Sequence, residues 1–390
     1  MKTLLLKNAD AILPNRKAEN VSVLIEDEKI KEVFSEDENV KGDEEIDLSN
    51  TTLLPGFIDI HIHGAVGIDT NAADAEGLYE VAKFLAKNGV TAWLPTFVPD
   101  SKENYQKTIN AIDELMKLQE NHEPAARVIG VHYEGPFVNE KQCGALRSEY
   151  FKTFIGGDEH KSLPRLQTPN AVHLTTLAPE IEGGIELVKE LVKQNWIVSI
   201  GHTRAELETL DAAFENGARH ITHFFNAMTG LHHRNVGVAG WGLTNSDVTF
   251  DIIADGIHVH PQMLKFACET KTPEKVSLIS DSVLPTGLGD GDYEIWGEKI
   301  CVRHGKTENE RGSIAGSVIT MLDAVRLMLK IGINETDIAK MASSNPAKVL
   351  KIEKDYGSIE VGKRADLVAI DKDGNIRLTI IGGNVTHENL

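Results

Sequence analysis

From Leu53 onward, short apolar runs alternate with stretches whose apolar residues recur every three to four positions. The runs read as strands: "GFIDIHIH", "GVTAWLPT", "ARVIGVHYEG", "VHLTTLAPE", "NWIVSIGHT", "ARHITHFFNAM", "VTFDIIADGIHVH" and "KVSLISDSV". Between them the spacing predicts helices near Glu76–Asn88, Lys102–Gln119, Gly184–Gln194, Arg204–Asn216 and Pro261–Glu269. Eight strands separated mostly by helices fit a (β/α)8 barrel better than an open doubly wound sheet. Beyond the eighth strand, the Gly-rich "LPTGLGDGDYEIWGEK" leads to helices near Thr320–Leu329 and Glu335–Leu350. The first fifty residues and the tail "GSIEVGKRADLVAIDKDGNIRLTIIGGNVTH" carry only strand patterns. This predicts a small β-sandwich domain built from both chain ends, 1–53 and 354–390, beside a barrel over 54–353.

One run breaks the simple alternation of core and surface. In "LLPGFIDIHIHG", Ile58, Ile60 and Ile62 are expected on one face, with Phe57, Asp59, His61 and His63 on the other. The isoleucine face asks for burial, while the other ends in two imidazoles. Barrel enzymes carry their chemistry at the C-terminal ends of the strands, and the same kind of residue recurs there. Glu134 ends strand three, His202 strand five, His223 strand six, and Asp281 strand eight, with His258 just past strand seven. Any one of these could simply cap a loop. Nitrogen and carboxylate donors at six strand ends point instead to a divalent metal, zinc first, with iron, cobalt or manganese as alternatives. His132 is read as lying deeper in its strand, His220 as facing away from His223, and His232 as a loop cap.

Composition narrows the setting. A net charge of −19 on 390 residues argues against nucleic acid or an anionic membrane surface as a partner. No apolar run approaches the length of a membrane span, and "MKTLLLKNADAIL" lacks a signal peptide's hydrophobic region, so a cytoplasmic location is expected. Cys143, Cys268 and Cys301 are too far apart in sequence for a disulfide framework or a CxxC site.

The motifs "PGFIDIHIHG", "EGPFVN", "GHT", "THFFNAM", "HHR", "ADGIHVHP", "SDS", "IAGS", "NPAKVL" and "GSIEVGKRADLVAID" together resemble the amidohydrolase superfamily. Within it they resemble the N-acetylglucosamine-6-phosphate deacetylases, over essentially the whole chain. Related hydantoinases use a carboxylated lysine after strand four; "HLTTLAPE" has none, and the resemblance gives Glu134 the bridging role. It implies that Glu134, His202 and His223 hold one metal, and that His61 and His63, sharing Glu134, hold a second. Asp281 is implied as a further metal ligand and as the general base and acid. Substrate binding is implied for Ala145, Asn226, Ala227, Arg234, His258, Ile314, Ala315 and Gly316, with Arg234 and His258 near a phosphate. A homodimer acting on a small amino-sugar phosphate is also implied.

The chemistry can be stated from the residues themselves. Amides resist hydrolysis because water is a poor nucleophile and the amine a poor leaving group; a metal answers the first defect and a proton-carrying carboxylate the second. One position departs from the family pattern. In much of the family the segment after "EGPF" reads Gly-Ala/Thr-His, with the histidine against the acetamide carbonyl; here "CGAL" puts Leu146 there, which cannot donate a hydrogen bond. Either a second metal compensates, or the substrate is another acylamino sugar such as the galactosamine epimer. A non-catalytic assembly protein on the same fold is disfavoured by the intact ligand set.

Overall fold

The computed structural model describes residues 2–35 and 40–389, so residues 1, 36–39 and 390 of the expected small domain lie outside the described residues. The eight barrel strands are Phe57–Ile62, Val90–Phe97, Gly130–Glu134, Val172–Leu177, Ile197–Ile200, His220–Ile221, Thr249–Ile253 and Val276–Ile279. Each pairs in parallel with the next. The eighth and first strands share no ladder. They are joined by the Asp281 N–H donating to His61 O at 2.9 Å and by Ser280 Oγ donating to Asp59 Oδ2 at 2.5 Å. Burial pushes the Asp59 carboxyl up to about 6, against the Ser280 hydrogen bonds that oppose the rise.

The first strand departs from strict alternation. A register irregularity between Asp59 and Ile62 shifts its phase. Ile58 and Ile60 join Ala92, Leu94, Leu174, Ile253 and Ile279, a cluster drawn from several strands and capped by Ala347 and Leu350. Ile62 instead packs with the helix residues Leu78, Val81 and Leu85. The three isoleucines therefore do not share one face, because the extra residue turns Ile62 outward while His61 and His63 reach the inner rim.

The outer helices follow the expected spacing with small shifts. Ala75–Lys87 buries Leu78, Val81, Ala82 and Leu85, and Asp74 caps its start by accepting from the Gly77 N–H. Lys102–Leu118 is capped by Ser101. Such caps contribute about 0.5–2 kcal/mol each. The helix expected from Arg204 starts at Leu207, after Glu180 has accepted hydrogen bonds from Thr203 Oγ1 and the Arg204 N–H. The helix expected over Glu335–Leu350 is interrupted by a π-turn at Lys340–Ser344. Pro346, which has no N–H for the ladder, follows directly.

Two elements were not expected. Gly237–Thr244 is a helix buried over nearly its whole length, so it carries no polar stripe to announce it. Gly291–Ile295, Glu298–Arg303 and Lys306–Asn309 form a three-stranded antiparallel sheet within the stretch read as a Gly-rich connection. The chain ends meet in one eight-stranded sheet. That sheet curls until Lys29 bridges Arg364, so Leu4, Leu6, Val23 and Ile25 share a core with Leu367, Leu378 and Ile380.

Candidate metal centre and active site

Three of the strand-end residues sit in the left-handed backbone region: His202 at φ 47°, His223 at φ 36° and Asp281 at φ 49°. Such backbones cost about 1–3 kcal/mol each and persist only where neighbours fix them. At His223 the fixing group is Asp251 on strand seven, which accepts from the His223 N–H and, through Oδ2, from His220 Nε2 at 3.0 Å. His202 is held from both sides: its Nδ1 donates to Gln142 O at 2.7 Å, and its carbonyl accepts from the Asn139 N–H at 2.9 Å. At Asp281 the carbonyl accepts from the Ser317 N–H at 2.7 Å.

These backbones aim their side chains at one carboxylate. Glu134 Oε1 lies 2.9 Å from both His202 Nε2 and His223 Nε2 and 3.5 Å from His61 Nε2, and Oε2 lies 3.3 Å from His63 Nε2. Across the pocket, Asp281 Oδ1 is 3.3 Å from His63 Nε2 and 3.5 Å from His61 Nε2. Two triads of buried donors result, Glu134, His202 and His223, and His61, His63 and Asp281. The other placements agree with simpler roles. His132 is buried with Nε2 at 2.8 Å from Thr176 Oγ1, His260 caps the Pro261–Lys271 helix, and His232 accepts from loop N–H groups.

Both triads fit a divalent cation. His61 and His63 face each other Nε2 to Nε2 at 3.0 Å, as do His202 and His223. Nδ1 of His63 meets Thr96 O at 3.2 Å and Nδ1 of His202 meets Gln142 O, so in both rings the proton belongs on Nδ1 and the Nε2 lone pair faces inward. Lone pairs so placed call for a cation between them. The same demand appears in the ring basicities. Burial alone would lower His63, yet hydrogen bonds to Asp281 and Glu134 raise it to about 10. Against the same burial, Glu134 raises His223 to about 9. Burial opposes ionisation of Glu134 too, but His61 and His202 hold it well below the usual carboxylate range.

Above the triads lies a cavity of about 310 Å³. Ala145, Asn226, Ala227, His258, Ile314 and Gly316 line it, as expected, together with Leu146. His258 is fixed by Nδ1 at 2.6 Å from Asp255 Oδ2. Two expected residues are not at the wall. Ala315 is buried in a cluster with Val283, Ile295 and Ile300, its N–H donating to Thr307 Oγ1. Arg234 is exposed on its loop, with Nη1 2.7 Å from His233 Nε2. Sequence reasoning missed Gly144, Ser313 and above all Trp296, which the unexpected sheet delivers to within 5.3 Å, ring to ring, of His63. The signal was present as "DYEIWGEKICVR", two alternating runs about a Gly-containing turn.

The family model described as "Amidohydrolase family" matches residues 52–386. The chain belongs to the amidohydrolase family. This family is metal-dependent, in keeping with the two triads. The chain is 36% identical over 386 residues to an N-acetylglucosamine-6-phosphate deacetylase of Bacillus subtilis, covering 98% of this chain and 97% of the relative. It is 33% identical over 334 residues to an N-acetylgalactosamine-6-phosphate deacetylase of Escherichia coli O157:H7, covering 85% and 87%. Its backbone matches the crystal structure of N-acetylglucosamine-6-phosphate deacetylase from Pasteurella multocida with a TM-score of 0.91, at 28% identity over 99% of this chain and 100% of that one. Among the described residues no helix is long and apolar enough to cross a membrane.

Proposed function

We propose that this chain hydrolyses the acetamide of N-acetylglucosamine 6-phosphate, giving acetate and glucosamine 6-phosphate. The observation that carries the reading is a single buried carboxylate, Glu134, in contact with four inward-facing imidazoles, with Asp281 beside His61 and His63 on the wall of the same cavity. The substrate class follows the names of the relatives of near-equal length. Glu134, His202 and His223 would hold one divalent ion, and His61, His63 and Asp281, with Glu134 alongside, would hold a second. Zinc suits these nitrogen and oxygen donors best, with iron, cobalt or manganese as alternatives. An ion bound there supplies Lewis acidity, bringing the pKa of water from 15.7 toward about 7 and polarising a carbonyl.

The chain's own residues do the rest. Asp281 takes a proton from the attacking water and delivers it to the departing amine nitrogen, so one carboxyl serves as base and then as acid. Asn226, Ala227, Ile314 and Gly316 position the sugar. His258, held by Asp255, is assigned to the phosphate end, and Arg234, exposed on its loop and off the cavity wall in this chain, is assigned to the same group, suited by a planar fork that donates bidentately. Exposed Leu231 and Val236 flank Arg234, which supports a homodimer that covers this loop. The location is cytoplasmic.

A second reading, deacetylation of the galactosamine epimer, is favoured by the relative that carries that name and by the absence of a hydrogen-bond donor at Leu146. Acetate release from the 6-phosphates of N-acetylglucosamine, N-acetylgalactosamine and N-acetylmannosamine decides between them. Highest kcat/KM on the first supports the main reading. No acetate from any of the three refutes both.

A further inference from the structure

Trp296 breaks two local rules at once. It occupies the first central position of the two-residue turn between Gly291–Ile295 and Glu298–Arg303, with Ile295 paired to Glu298, and both turn residues have positive φ, 54° at Trp296 and 79° at Gly297. That is the geometry of a type I′ hairpin, whose first central position calls for Asn, Asp or Gly. A bulky residue held there is strained. Its indole Nε1 is also buried without a hydrogen bond of proper geometry; the Asp69 carboxylate is near enough to feel the indole but not placed to accept from it. Residues that violate local preference without structural compensation are expected at functional sites.

The indole is aimed at the reaction centre. Its ring stands edge-on to His63 at 79° and packs with Leu146, Val98 and Val138, of which Leu146 is 3% exposed. His63, Val98, Val138 and Leu146 follow barrel strands one to three and Trp296 sits on the sheet appended after strand eight, whereas the polar cavity residues Asn226 and His258 follow strands six and seven. An amide held over the triads must send its acyl chain one way and its amine the other. The polar side suits the sugar, which leaves the apolar side for the acyl group.

We propose that Trp296 and Leu146 form the acyl wall of the site and set the length of acyl chain it accepts. The inference rests on the amide-hydrolase reading above and adds a specificity role to two residues, one on a sheet appended to the barrel. A wall of this kind acts by exclusion, so shortening it admits longer chains. One methylene in an apolar pocket changes specificity by roughly 10- to 200-fold.

The test compares kcat/KM for the N-acetyl, N-propionyl and N-butyryl forms of glucosamine 6-phosphate in the parent, Leu146→Ala and Trp296→Leu. Leu146→Val serves as a milder variant that keeps the apolar packing. The butyryl-to-acetyl ratio is expected to rise about tenfold or more in the first two variants and by less in Leu146→Val. A ratio within twofold of the parent in all three, with parental metal content, overturns the wall while leaving the hydrolase reading intact. A parent that releases no acyl group from any of the three overturns both.

Discussion

Replacing Asp281 by Asn keeps the shape of the side chain and removes its capacity to carry a proton. The structure sets the size of the effect. Asp281 Oδ1 lies 3.3 Å from His63 Nε2 and 3.5 Å from His61 Nε2, with the side chain only 10% exposed, so solvent is a poor substitute. Among the described residues the other carboxylate on the cavity wall is Glu134, which contacts four imidazoles and is held well below the usual carboxylate range by His61 and His202. The loss should therefore fall toward the upper end of the usual range for general acid and base catalysis, about 10³- to 10⁴-fold, or roughly 4–5.5 kcal/mol in the barrier. The assay is acetate release at saturating substrate, with elemental analysis of the same samples. Asp281 is not among the Glu134, His202 and His223 donors, so an ion held there should persist, and Asn keeps a ligand oxygen for the His61 and His63 side. Turnover within tenfold of the parent at unchanged metal content would refute the role given to Asp281. Equal loss of turnover and of all bound metal would make it a structural ligand instead.

The remaining expectations can be stated together. His61→Gln with His63→Asn should remove one of two bound ions per chain and nearly abolish deacetylation, and a metal-saturated parent holding a single ion would contradict the second triad. Arg234→Met should lower kcat/KM on the 6-phosphate by about 10- to 100-fold while hardly changing the weak activity on the unphosphorylated sugar, because a charge-assisted hydrogen bond is worth on the order of 1.5–3 kcal/mol; equal losses on both would make Arg234 structural. His173, away from the cavity, accepts from the Leu166 N–H through Nε2, and burial, with Arg165 nearby, lowers it to about 4. Its folded pKa lies below the unfolded value of about 6.5, so its contribution is full above pH 6.5 and is lost as pH falls toward 4, by on the order of 3 kcal/mol. Urea unfolding at pH 8 and pH 5 should show a smaller acid loss for His173→Gln than for the parent, and identical losses would refute this.

The barrel strands were legible because a buried parallel strand writes itself as a continuous apolar run, and their C-terminal ends were legible because the runs stop at donors such as His202 and Asp281. What pattern reading lost were the places where periodicity carries no information. Gly237–Thr244 is apolar on every side, so no helical stripe distinguishes it from a loop. The Trp296 hairpin was masked by glycines that signal turns but not which neighbouring runs pair. The phase slip in the first strand, which separates Ile62 from Ile58 and Ile60, follows from register against the second strand and cannot be read from one strand alone. Arg234 shows a related limit: a motif can assign it to a ligand, but not whether its loop delivers it to the wall of a single chain.

These losses and gains share a cause. The candidate metal donors are short-range in sequence only at His61 and His63; the others are brought together by closure of the barrel, and His202, His223 and Asp281 need left-handed backbones. His202 and His223 adopt left-handed conformations that neither residue would choose, and each is fixed by a partner from another segment, Gln142 and Asn139 for the first and Asp251 for the second. Strain of this kind is tolerable only in a scaffold that closes around it, and the closing contact is itself part of the site: the Asp281 N–H donates to His61 O, joining the last strand to the first at the level of the donors. Any change that loosens this seam, such as removing the Asp59 to Ser280 hydrogen bond beneath it, should therefore reach both triads at once, because Glu134 of one triad contacts His61 and His63 of the other.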